Sequence, residues 1–338
     1  MNNNVNTYFS LDNRFIYREP IASGSYGSTH RVQYLQVLNG YVTATDFLVK
    51  VAHGGWEGET ALRFEKEYLE RLRGAMHIVK LINIPNDPLT RNNFPGSFIM
   101  LEWLPNGTIG QFIAKAKFMG LQRLPNRLLW RFFLCLVRAL CGLAWPRNRT
   151  DDLEEFELPV PGVPPSGFMH NDLHIGNVLL GDFTMEPEHF ITPKLKLIDF
   201  GQSGDADPED VVAAREANIW EVGKLMLKLI SLNNLAQDSL TPMLFNYLGE
   251  DIETRANLIF APSPGQPRPF PWLDEWLATI IGLCMGVDVN RMPTYQTLSQ
   301  WVQYAVIERN ASYYGIPEES DETVRTICQQ VILNARTH

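Results

Sequence analysis

The sequence predicts a two-lobed α+β fold: a small β-rich N-terminal lobe with one main helix, then a larger and mostly helical C-terminal lobe. Three observations lead there. Short β-rich runs dominate as far as Leu101, one helical stretch interrupts them, and after Pro105-Asn106-Gly107 the apolar spacing turns helical and stays so. With 338 residues, 45% of them hydrophobic and 20% charged, the chain has ample material for such a core.

Taken in order, the β-rich runs are Phe15–Ala22, Thr29–Leu38, Tyr41–Val51 and Phe98–Leu101. Between them, Glu59–Arg73 carries Leu62, Leu69 and Leu72 near helical spacing. The later helical stretches are Thr108–Met119, Arg127–Ala144, Val211–Leu232, Trp272–Met285 and Tyr295–Arg309. The chain therefore divides into an N-terminal extension (1–13), an N-lobe (14–101), a hinge (102–107), a C-lobe (108–309) and a tail (310–338) with a last helix, Glu322–Ala335. Pro146 to Gly167 is Pro-rich and carries Asp151, Asp152, Glu154, Glu155 and Glu157, which reads as an exposed insertion. Pro262 to Pro271 holds five prolines and reads as a rigid surface loop.

Twenty-nine Lys+Arg against 38 Asp+Glu give a net charge of −9 with no basic stripe, which argues against a nucleic-acid partner. The longest apolar run, Leu128 to Trp145, is interrupted by Arg131 and Arg138 and is not expected to span a membrane. Cys135, Cys141, Cys284 and Cys328 show no ligand-like spacing and are expected as buried free thiols. Met1 to Ser10 is polar and Asn-rich, unlike a signal peptide, so the expected location is cytoplasmic or nuclear rather than secreted.

The strongest chemical signal is Met169-His170-Asn171-Asp172-Leu173-His174-Ile175-Gly176-Asn177-Val178-Leu179-Leu180, followed by Leu197-Ile198-Asp199-Phe200-Gly201. An Asp and an Asn five residues apart before one apolar strand, then Asp-Phe-Gly after the next, resemble the catalytic and metal-binding loops of protein kinases. Either piece alone reads as turn-forming polar residues. The resemblance extends to Ile21-Ala22-Ser23-Gly24-Ser25-Tyr26-Gly27, similar to a glycine-rich loop, and to Phe47-Leu48-Val49-Lys50-Val51, similar to the strand with the phosphate-gripping lysine. Alone, a Gly-Ser-x-Gly turn is a plain hairpin and a strand lysine is usually solvated.

The resemblance covers residues from about Phe15 to Arg309 and implies a set of roles. Lys50, paired with Glu65 (Glu67 is the fallback), orients the α- and β-phosphates of ATP under Ala22, Gly24, Ser25, Tyr26 and Gly27. Leu101 stands at the gatekeeper position, Glu102 and Leu104 read adenine through the backbone, and Ile21 and Leu179 complete the nucleotide site. Asn177 and Asp199 hold Mg²⁺ (or Mn²⁺), and Asp172 orients the acceptor hydroxyl and takes its proton. His170 packs beside Phe200, and Asn218-Ile219-Trp220-Glu221-Val222-Gly223 resembles the start of the large lobe's central helix. Asn290-Arg291-Met292-Pro293-Thr294 resembles the late arginine motif, with Arg291 paired to Glu209.

The sequence also departs from that pattern. Ala22 replaces the first glycine, Asn171 the arginine before the catalytic Asp, His174 the lysine after it, and Asn218 the Asp that braces the loop. His174 is expected to act, when protonated, in place of the missing lysine. The segment from Asp199 to Glu209 is short and holds one hydroxyl residue, Ser203, so activity without phosphorylation of this segment is implied. Its acidic residues Asp205, Asp207, Glu209 and Asp210, with the insertion, suggest a basic acceptor. Three readings stay open: a kinase acting on protein Ser/Thr hydroxyls, a small-molecule kinase of the aminoglycoside or choline phosphotransferase type, and a nucleotide-binding pseudokinase scaffold. The intact set Lys50, Glu65, Asp172, Asn177 and Asp199 leans toward an enzyme.

Overall fold

The computed structural model describes residues 5–24, 26–263 and 265–333. The fold is α+β, with one five-stranded antiparallel sheet and ten α-helices among the described residues. A short α1 (Val5–Phe9) precedes β1 (Phe15–Ser23), β2 (Gly27–Leu38), β3 (Tyr41–Ala52), α2 (Trp56–Arg71), β4 (Leu81–Ile82), α3 (Pro88–Arg91) and β5 (Phe98–Glu102). Then come α4 (Ile109–Phe118), α5 (Asn126–Ala144), β6 (Phe168–Met169), β7 (Val178–Leu180), β8 (Leu195–Leu197) and β9 (Gly204–Asp205). The chain continues through α6 (Val211–Ser231), β10 (Met243–Tyr247), β11 (Glu250–Thr254), α7 (Glu275–Cys284), α8 (Tyr295–Glu308), α9 (Ala311–Tyr314) and α10 (Asp321–Leu333).

The sheet runs β1-β2-β3-β5-β4. Its longest hairpin, β2–β3, turns at Asn39-Gly40, both at positive φ (51° and 81°), the pair that a two-residue turn of this twist requires. Helix α2 places Glu57 and Glu59 in its first turn and Arg71 in its last, with the macrodipole. Leu62, Glu65 and Leu69 share its buried face. α1 was not expected in the polar extension, yet Val5 and Phe9 are buried with Phe15 and Phe47 in a core of their own on the sheet.

A second, larger core is centred on α5, whose residues are buried on nearly every side. Arg131 and Arg138 break its apolar run, and no helix among the described residues is long and apolar enough to cross a membrane. The tail docks: Val324, Cys328 and Val331 of α10 join this core, and Glu319 accepts from the free N–H groups of Asn126 and Arg127 at 2.7 and 2.9 Å. A carboxylate at a helix N-terminus satisfies both the orphan donors and the dipole. The last residues expected in that helix, up to Ala335, lie outside the described residues.

One expectation is corrected and another refined. Residues 146–167 are largely exposed, as expected, yet their carboxylates are paired. Asp151 pairs with Arg149, Asp152 with Arg73, Glu155 with Arg149 and Glu154 with Lys194 and Lys196, while Glu157 is buried against His77. Arg291 meets Glu250 at 2.5 Å rather than Glu209, because the β10–β11 hairpin brings that carboxylate to it.

Candidate functional site

The site is built where β3, α2 and the two motif loops converge. Lys50 donates to Glu65 Oε2 at 2.7 Å and to Asp199 Oδ1 at 2.9 Å. Glu65 therefore meets the lysine, and it is 1% exposed. Burial alone would lower the Lys50 pKa; Glu65 and Asp199 outweigh it and hold the ammonium above its ordinary value. Burial pushes the Asp199 carboxyl up, and the Lys50 charge prevails, so that group sits below the usual range. Asp199 and Asn171 both adopt left-handed backbone, φ 64° and 61°, a strain that clusters at functional turns.

On the other side, Asn177 Nδ2 donates to the Asp172 carbonyl and to Asp172 Oδ2, each at 2.9 Å. The amide nitrogen is thus spent on orienting Asp172, which leaves Oδ1 for other partners. His170 donates from Nε2 to the Ile198 carbonyl at 3.0 Å, accepts from the Asp172 N–H at Nδ1, and lies 4.8 Å from the Phe200 ring. Burial pushes its pKa down, and with a donor on one ring nitrogen and an acceptor on the other it serves as a neutral brace. Asn218 Oδ1 accepts from the His170 N–H, while Nδ2 donates to the Phe168 carbonyl (2.8 Å) and Tyr295 Oη (3.1 Å). An Asp there could not serve the Phe168 carbonyl, which explains the amide.

The glycine turn closes over this cluster. The Gly24 N–H bonds the Gly27 carbonyl at 2.9 Å, and a Cβ on Gly27 would sit 2.4 Å from the Val51 carbonyl oxygen, so only glycine lets β2 and β3 approach there. A cleft of about 320 Å³ results, walled by Ala22, Gly24, Tyr26, Gly27, Lys50, Glu65, Asp172 and Asp199. Ser25 lies outside the described residues.

No protein-family model matches the chain, and no curated protein matches it. The site therefore stands on its own geometry.

The lining of this cleft does not reach Ile21, Leu101, Glu102, Leu104, Leu179 or Asn177. Leu101 and Leu104 are buried, and Glu102 is held by the sheet: its N–H bonds the Lys80 carbonyl, and its carboxylate accepts from the Lys80 N–H (2.7 Å) and Lys196 (2.6 Å). His174 accepts from the Gly176 N–H at Nδ1 (2.9 Å), and its Nε2 lies 3.5 Å from Asp172 Oδ1. The ring is thereby turned toward Asp172.

The acidic flank is also reduced. Asp205 forms a two-pronged pair with Arg71 of α2, at 2.6 and 2.9 Å, and the insertion's carboxylates are engaged as described. Asp207, Glu209 and Asp210 stay exposed and enter no ion pair among the described residues. One cluster escaped the sequence reading altogether: His77, Cys135 and His189 meet in the interior. Their positions are too far apart along the chain to leave a spacing motif.

Proposed function

We propose that the chain is a phosphotransferase with a two-lobed protein-kinase-like fold, taking Mg-ATP into this cleft and passing the γ-phosphate to a Ser or Thr hydroxyl of a protein. The observation that carries the reading is the Lys50 bridge between Glu65 and Asp199, under a glycine turn and across from the Asp172–Asn177 pair. Phosphoryl transfer asks little else of a protein than a cation on the phosphates, hard oxygen ligands and a carboxylate at the acceptor.

Lys50 would hold the α- and β-phosphates, kept extended by Glu65. The Asn177 amide oxygen and the Asp199 carboxylate are hard donors that fit Mg²⁺ or Mn²⁺, which when bound neutralises phosphate charge. Asp172, held by the Asn177 amide, would orient the hydroxyl and accept its proton as the new P–O bond forms. The support lies at the phosphate end; the base-binding end, Leu101 to Leu104 with Ile21 and Leu179, rests on the sequence resemblance.

A protein acceptor is favoured over a metabolite by the surface beside Asp172. The Asp172 and His174 side chains are 42% and 52% exposed, and the segment after Gly201 is held beside the loop, not over it, by the β6–β9 pairing and the Asn171–Gln202 and Ser203–His170 hydrogen bonds. That leaves an open approach, where a small molecule would be met by an enclosed pocket. The test is incubation of the full chain with Mg-[γ-³²P]ATP, with label on protein resolved from label on small molecules and Asp199→Asn as the control. Label on protein, lost in the variant, is expected. Label confined to small molecules overturns the acceptor class, and nucleotide binding without label in either fraction overturns the activity in favour of a scaffold.

A further inference from the structure

Behind the cleft, in the large core, three side chains converge that the proposed chemistry does not use. His77 follows α2, Cys135 lies in α5, and His189 lies in the connection from β7 to β8. One donor atom from each falls within 4.8 Å of the other two, and all three residues are buried, at 0 to 1% exposure. His77 Nε2 is 3.2 Å from His189 Nε2, and Cys135 Sγ is 3.9 Å from His189 Nδ1. We infer that His77, Cys135 and His189 form a structural site for a thiophilic divalent transition-metal ion, of which zinc is the type.

Two imidazole nitrogens 3.2 Å apart are joined in one of two ways: an N–H of one ring donates to the lone pair of the other, or both lone pairs bind a metal ion. Zinc bonds of about 2.0–2.3 Å in a tetrahedron set donor atoms roughly 3.3–3.8 Å apart; the two Nε2 atoms stand at 3.2 Å, and one donor atom of each residue lies within 4.8 Å of the other two, so a small inward shift of Cys135 closes the set. The surroundings favour the metal. Glu157 takes both the backbone N–H of His77 (2.6 Å) and its Nδ1 (2.7 Å), fixing the ring with Nε2 toward His189. A carboxylate behind a histidine is the usual outer support of a ligating ring. Charge also balances: the Cys135 thiolate and the Glu157 carboxylate together neutralise a divalent ion, which an interior of this dryness demands. A thiolate with two imidazoles suits zinc-like ions and not magnesium or calcium.

The role is structural because the burial of all three ligands leaves no approach for a substrate. Occupied, the site clamps three segments distant in sequence. The His77 carbonyl accepts from the Leu197 N–H at 2.9 Å, and the Val79 N–H bonds the Leu197 carbonyl at 2.9 Å. Leu197 precedes Asp199 by two residues, so the clamp stiffens the strand that delivers that carboxylate.

The test uses tag-free full-length protein made in zinc-supplemented medium, dialysed, and assayed for metal by mass spectrometry. About one equivalent of zinc per chain is expected. Refolding with Co²⁺ should give a thiolate-to-cobalt charge-transfer band, and Cys135→Ser and His189→Gln should lower bound metal at least tenfold. The inference is overturned if folded wild type, refolded with either ion, holds less than about a tenth of an equivalent. It is equally overturned if the cobalt band survives Cys135→Ser. Should the variants fail to fold, the wild-type stoichiometry and the presence or absence of the band decide alone. Neither readout depends on phosphotransfer, so failure here leaves the proposed activity standing.

Discussion

Lys50 holds two carboxylates of different character, and substitutions around it should separate stability from activity. Glu65 is buried, whereas the Asp199 side chain is 44% exposed. Lys50→Met strands Glu65 without a counter-charge, at a cost of roughly 2–4 kcal/mol. Adding Glu65→Gln removes the stranded charge, so the double variant should be more stable than Lys50→Met alone while staying inactive; urea denaturation checks this, and an equally unstable double variant counts against the buried-pair account. Asp199→Asn should unfold within about 1 kcal/mol of wild type yet lose at least a hundredfold in transfer. Asn218→Asp makes a second case. It sets a carboxylate against the Phe168 carbonyl and should cost about 1–3 kcal/mol, a penalty that a solvent-facing Asn would not incur. The residues in these tests were legible in sequence because short loops and strand ends fix their spacing. His77, Cys135 and His189 were not, since only the packing of α5 against two connections brings them together.

At the scale of elements, the position of α2 decides whether Glu65 reaches Lys50. The segment after Gly201 holds that helix through Arg71 and Asp205, a pair that is 34% and 45% exposed. Such a pair adds under about 1 kcal/mol to stability, so its main effect is on register. Asp205→Ala should leave the thermal midpoint within about 2 °C while lowering transfer several-fold to tenfold. Ser203, whose hydroxyl donates to the His170 carbonyl at 3.2 Å, should tolerate alanine with activity within a few-fold, and phosphatase treatment should not silence the protein. A fall in activity on phosphatase treatment would mean that a phosphate, and not the fixed carboxylate of Asp205, sets α2. The strands and helices of this region were readable from apolar periodicity to within a few residues. The β10–β11 hairpin was not. Its turn residues Leu248 and Gly249 both take positive φ (54° and 84°), and a leucine in that position carries none of the turn chemistry that would announce it.

Across the whole molecule, the acidic stretch works as a strap as well as a charged surface. Its composition was legible and its partners were not, because composition records charge and says nothing of where the cations lie. Asp152 reaches Arg73 at the end of α2, and Glu154 reaches Lys194 (2.7 Å) and Lys196 (2.8 Å) around β8. Lys196 also holds Glu102 at the end of β5. The strap thereby joins the sheet-bearing part to the helical part. Burial would raise the Glu154 pKa, but Lys196 and Lys194 outweigh it and bring the carboxyl to about 2, from an ordinary 4.5. The sign follows from linkage: the folded state binds this proton more weakly than the unfolded state. The stabilisation is therefore fully present above about 4.5 and is lost as pH falls toward 2. After discounting for solvent screening at a partly exposed carboxylate, it amounts to on the order of 1–2 kcal/mol. Glu154→Gln should be less stable than wild type by about that amount at pH ~6, and the gap should shrink through pH ~4 and ~3 as the wild-type carboxyl gains its proton. Urea titrations of the two proteins at each pH measure the gap. A gap that stays constant from pH ~6 to ~3 would mean that Glu154 acts through packing and not through its charge, and that the strap is held by Asp152 and Glu157 alone.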